Sequence, residues 1–173
     1  MTELTGLLNH LRASFERESV AFAVGGSFAL AALGHPRATA DIDLMVLVRG
    51  GDLAPVHRAL AEPRYSMRNE VTFEDDVTGL FLDILPIVDQ AQEEAFERAR
   101  RIPIHGATRI RVLTADGLAL MLLREATIGD KGKRRQRLAD LDSLARVAKL
   151  DEAFLAEWAR RMGYTKALAD WKE

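Results

Sequence analysis

Leu4, Leu7, Leu8, Leu11 and Phe15 recur at helical spacing between residues 3 and 18, with polar residues between them. That pattern predicts a surface helix packed by one face. The apolar run VAFAV at 20–24 stops at Gly25-Gly26, as a buried strand does. Ser27 then stands where a helix N-cap belongs, ahead of FALAAL, and Gly34 and Pro36 close that helix. IDLMVLV (42–48) predicts a second strand, and 52–61 a helix ended by Pro63. Residues 65–74 alternate loosely and GLFLDILPI (79–87) is a buried strand. With a turn over DDVT at 75–78, the two make an antiparallel pair. A charged helix over 89–101 precedes IPIHGATRIRV (102–112), which supplies one or two short strands. From Thr114 the period changes to helical. Thr114 or Asp116 caps a helix to Ile128, Gly129–Lys133 is a polar break, and 134–148 and 151–162 read as two more helices. Residues 164–173 carry no clear pattern.

The pattern therefore divides the chain into a mixed α/β part, 1–113, and a helical region, 114–173, that packs on it without a linker. The expected fold class is α+β, a small mixed sheet flanked by helices. The 173 residues, 48% hydrophobic and 29% charged, suit a folded protein with a core of its own. No cysteine is present, which removes disulfides and thiolate metal sites and fits a reducing, cytoplasmic setting. No stretch approaches the roughly 20 apolar residues of a membrane span, and the N-terminus does not read as a signal peptide. A net charge of −2 gives no global attraction to nucleic acid, so a polyanion would have to be held locally. KGKRRQR at 131–137, five basic residues in seven, is the obvious place. Arg98, Arg100 and Arg101 form a second basic cluster, whose ordinary reading is a solvated surface.

The chemistry concentrates in FAVGGSFALAALGHPRATADIDLMV, residues 22–46. On a strand, Asp41 and Asp43 project from one face while Ile42 enters the core. Two carboxylates so placed repel unless a cation or proton intervenes, and Mg²⁺ or Mn²⁺ commonly bridges such carboxylates to substrate phosphates. Asp83, flanked by apolar residues in FLDILPI, is expensive to leave unpaired and is a third ligand candidate. Each acid taken alone also fits a turn or an exposed strand end; together with the glycine turn they favour a metal site. Gly25 and Gly26 admit a ligand close to the backbone, and Ser27 with the following helix offers donors to phosphate. Neither the Walker phosphate loop nor the dinucleotide fingerprint occurs.

Gly25-Gly26-Ser27, then Asp41-Ile42-Asp43, then Asp83 resembles the polymerase-beta-like nucleotidyltransferase superfamily over about residues 20–90. With Arg37 and Thr39 ahead of the acidic pair, the string is similar to its bacterial abortive-infection (AbiEii-type) branch, which includes toxins of toxin–antitoxin systems. The resemblance implies the nucleotidyltransferase fold and transfer of a nucleoside monophosphate from an NTP to an acceptor hydroxyl. It implies that Gly26 and Ser27 bind the NTP phosphates, that Asp41 and Asp43 hold Mg²⁺ or Mn²⁺, and that Asp83 is third ligand and base. Where that branch carries a helical lysine this chain has Arg124, with Lys131 or Lys133 as substitutes; Arg137 and Asp140 match its later basic residue and aspartate. A tRNA acceptor and an antitoxin partner follow from the toxin branch. The alternatives are an enzyme modifying a small molecule or a protein, and a non-catalytic binding module of the same fold.

Overall fold

The computed structural model describes residues 3–34, 40–105 and 108–173. Seven strands form one mixed sheet in the order β3-β4-β5-β2-β1-β7-β6. They are β1 (Ala21–Val24), β2 (Asp41–Leu47), β3 (Tyr65–Met67), β4 (Thr72–Asp75), β5 (Phe81–Pro86), β6 (Arg100–His105) and β7 (Thr108–Val112). β1 runs antiparallel to β2 and parallel to β7, and β2 runs parallel to β5. The period-2 alternation of side chains sorts the central strands into two faces. Phe22, Val24, Ile42, Leu44, Val46, Phe73, Leu82 and Ile84 share the back face by register, and all but Phe22 are buried. Helix α1 (Glu3–Arg17) covers them through Leu7, Leu8, Leu11 and Phe15, with Phe15 tilted against Phe22 at 5.0 Å. Helix α3 (Ala54–Ala59) lies beside α1 and sets His57 edge-on to Phe73.

The front face carries Asp41, Asp43 and Asp83 and is approached by α2 (Gly26–Ala32), α4 (Gln90–Arg98) and α5 (Ala115–Ile128). α5 is buried almost all round, from Gly117 to Leu123 and at Ala126, which suits an apolar helix surrounded by others. Thr114 caps it by accepting from the Gly117 N–H. Helices α6 (Lys131–Val147), α7 (Glu152–Met162) and α8 (Thr165–Lys172) pack around it.

Several expectations need amendment. Ser27 is not the N-cap of α2; Gly25 takes that place, and Ser27 lies inside the first turn. Residues 65–74 are two strands, because Asn69 caps the Val71 N–H at 2.9 Å and the Arg68 N–H bonds to the Thr72 carbonyl, forming a turn. The 89–101 helix ends at Arg98, and Arg100 and Arg101 open β6. The break after α5 is only Gly129-Asp130, since Asp130 caps the Lys133 N–H and the basic run is already helical. Residues 165–172 are a helix. Tyr164, Ala167 and Trp171 pack inward, and Arg134 of α6 holds Asp170 while the Trp171 indole donates to Asp142.

At the sheet's far edge, β6 contains Pro103, and its pairing with β7 is irregular between Pro103 and His105. Arg101 and Arg111 lie directly opposite each other there, with Arg111 stacked on Phe96 at 4.6 Å.

Candidate active site

Parallel pairing of β2 with β5 sets Asp43 directly beside Asp83 and Asp41 beside Phe81. Adjacent strands stand about 4.8 Å apart and in-register neighbours point to the same face. All three aspartates therefore face the same side of the sheet. Thr72, opposite Asp83 on β4, donates its hydroxyl to Asp83 Oδ1 at 2.9 Å and restrains that carboxylate.

The glycine turn is built against Asp43. Gly25 N–H donates to the Asp43 carbonyl at 2.9 Å. Gly26 has φ +52°, and a Cβ there would lie 1.6 Å from Asp43 Oδ2. Only glycine fits, both for its left-handed backbone and for lack of space.

These parts line one cleft of about 620 Å³ between the sheet's front face and helices α5 and α6. Gly25, Gly26, Ser27, Asp41, Asp43, Asp83, Arg124, Lys133, Arg137 and Asp140 all reach it. Lys131 is exposed on the first turn of α6 and does not line it. Arg37 and Thr39 lie outside the described residues. Arg124 lines the wall but is committed locally, donating from Nε to Asp89 Oδ2 at 2.6 Å. Arg137 is held between Glu125, at 2.6 Å, and Asp140, at 3.2 Å.

Glu125 was not legible as a site residue. It follows Arg124 in the otherwise apolar LALMLLREATI, and two adjacent charges at the end of a buried helix are the one sign of a polar wall. Burial, then the charges of Asp41, Glu125 and Asp83, push the Asp43 carboxyl up to about 6, with Arg137 offsetting part of this. Crowded carboxylates whose repulsion resists ionisation are a donor set suited to a hard cation. Among the described residues no three acids or histidines form a ready-made ion cage. Mg²⁺ does not require one, because it usually takes one or two carboxylates and completes its shell with water and substrate phosphate. The oxygen-only, same-face arrangement fits such an ion.

No family model and no curated protein sequence matches the chain. Solved structures do. An antigenic nucleotidyltransferase-like protein from Paracoccidioides brasiliensis superposes with a TM-score of 0.57 at 16% identity, covering 96% of this chain and 92% of that one. The fold is that of the nucleotidyltransferases. ANT(2'')-Ia, crystallised with adenylyl-2''-tobramycin, matches with a TM-score of 0.55 at 16% identity, over 93% of this chain and 99% of that one. The solution structure of the same antibiotic-resistance factor matches with a TM-score of 0.53 at 13% identity, over 96% and 97%. On this nucleotidyltransferase fold the matched length takes in the helical region as well as the sheet. No described helix is long and apolar enough to cross a membrane.

Proposed function

We propose that the chain is a metal-dependent nucleotidyltransferase that moves a nucleoside monophosphate from an NTP to an acceptor hydroxyl. The supporting observation is the in-register pairing of Asp43 with Asp83 on the face where the Gly25-Gly26 turn meets Asp43. Asp41, Asp43 and Asp83 would hold Mg²⁺ or Mn²⁺, which when bound supplies charge neutralisation at the triphosphate and acidifies the acceptor hydroxyl. The chain's own work is positioning and charge stabilisation. The backbone at Gly25 and Gly26, with the Ser27 hydroxyl, receives phosphate oxygens. Lys133 and Arg137 reach the same cleft from α6 and pair with the triphosphate. Asp83, steadied by Thr72, accepts the acceptor's proton. Arg124, tied to Asp89 as Arg137 is to Glu125 and Asp140, offers the triphosphate a third cation from the same wall.

The acceptor divides into two readings. The motif's resemblance to the abortive-infection branch favours a toxin that modifies tRNA and is restrained by an antitoxin. The end-to-end match with ANT(2'')-Ia favours a small-molecule acceptor. Purified protein incubated with each α-labelled NTP, Mg²⁺ or Mn²⁺, and either tRNA or a small-molecule extract would separate them. Label should move to one acceptor class in wild type and to neither in Asp41→Ala or Asp43→Ala. Equal transfer by those folded variants would remove the mechanism.

A further inference from the structure

The front of β5 alternates apolar and acidic positions. Phe81, Asp83 and Leu85 share the aspartate face, while Leu82 and Ile84 are buried behind. Phe81 and Leu85 remain 38% and 37% exposed, Val71 39%, and Ile128 at the end of α5 64%. Val71, Leu85 and Ile128 line the same cleft as Asp83, and Phe81 lies in register beside Asp41. Large apolar side chains thus bracket the proposed base and stay in contact with water. Exposed apolar surface gathered beside reactive groups marks a ligand surface.

Charge narrows the ligand. The cations that line the cleft, Arg124, Lys133 and Arg137, all come from α5 and α6. The β4–β5 wall contributes no lining cation among the described residues, and nearby Arg68 is engaged by Glu74. Nucleotide phosphates are therefore drawn to the helical wall, and a polyanionic acceptor finds no partner on Asp83's side; with Asp41, Asp43 and Asp83 given to the metal and Glu125 and Asp140 engaged by Arg137, a polycationic acceptor is not favoured either. The geometry points to an acceptor subsite for a neutral hydroxyl compound with an apolar, ring-sized face, seated on Leu85 and Val71 opposite Ile128. This rests on the nucleotidyl-transfer reading above. In that step the acceptor oxygen bonds to the α-phosphorus and the bond from that phosphorus to the bridging oxygen breaks. Pyrophosphate leaves with the electron pair, and the proton passes to the Asp83 carboxylate.

The test uses the full chain loaded with Mg²⁺ and each α,β-methylene NTP in turn. The probe is 2-naphthol, whose fluorescence reports an apolar surrounding; tobramycin and a short single-stranded RNA serve as polycationic and polyanionic counter-probes. 2-Naphthol should bind together with the nucleotide, and the counter-probes should not. The surface variants Leu85→Gln and Val71→Gln should each weaken naphthol binding roughly tenfold with nucleotide affinity unchanged. If nucleotide binds but naphthol does not, is displaced by it, or binds the variants equally, the inference fails alone. Binding of RNA or tobramycin at the expense of naphthol also overturns it. So does a dimer in sedimentation that Leu85→Gln dissociates, since the patch would then belong to a second copy. If no NTP analogue binds wild type, both readings fail.

Discussion

Asp43 ties the proposed metal site to stability at a single position. Its carboxyl is held at about 6 against an ordinary 3.8, so folding makes ionisation harder. Below about pH 3 the group is protonated in both states and costs nothing. As pH rises from 4 to 6 the unfolded chain releases its proton first, and stability falls; above pH 6 the loss is complete, about 3 kcal/mol at most for a shift of this size. Metal-free protein should therefore melt at lower temperature at pH 7.5 than at pH 4.5. Asp43→Asn should flatten that difference, and Mg²⁺ should raise the wild-type melting temperature at pH 7.5 but not the variant's. Scanning calorimetry at both pH values, with and without Mg²⁺, is the check; a wild type indifferent to Mg²⁺ would count against the site. Gly26 makes the second test at this scale. Gly26→Ala meets both a left-handed φ and the Asp43 carboxylate, so it should cost about 1–2 kcal/mol from the backbone alone. Urea unfolding and Mn²⁺ titration of the same variant should show lower stability together with weakened metal binding.

Helix α6 shows the same conflict between stability and function at the level of an element. Its first two turns bear Lys131, Lys133, Arg134, Arg135 and Arg137, with no acid in the first turn. Cations at the positive end of a helix dipole are unfavourable by about 0.3–1 kcal/mol each. Asp170 offsets Arg134, and Glu125 with Asp140 offsets Arg137. Lys133 has no such salt bridge among those described and faces the cleft. Lys133→Ala should thus raise apo stability by a few tenths of a kcal/mol while weakening NTP binding roughly tenfold. Thermal melts and nucleotide calorimetry would read the two effects separately. Asp130→Ala removes the cap on the Lys133 N–H and should destabilise α6 by about 1 kcal/mol.

Across the whole molecule, the central strands and the shared face of the three aspartates were the legible part. β2 and β5 announce themselves as apolar runs interrupted by Asp41, Asp43 and Asp83, and period-2 geometry places the acids on one face once the strands pair in register. Less was legible where tertiary contacts decide. The turn at 68–71 depends on the Asn69 side chain, and α8 depends on Asp142 and Arg134 of another helix. Glu125 and Thr72 became site residues only through packing, since neither belongs to a motif. The basic cluster at Arg98–Arg101 proved to span a helix end and an edge strand, with Arg98 stacked 3.8 Å over Phe154.

That edge strand has a consequence for how the protein behaves in company. A sheet whose outermost strand lacks an amide donor at Pro103 and sets Arg101 against Arg111 is a poor template for a neighbouring chain. Two copies approaching through this edge would meet a missing hydrogen bond and a repulsive row, so β6 should not seed pairing between chains. Converting Pro103 to valine and Arg101 to threonine would open that seam to intermolecular β-pairing.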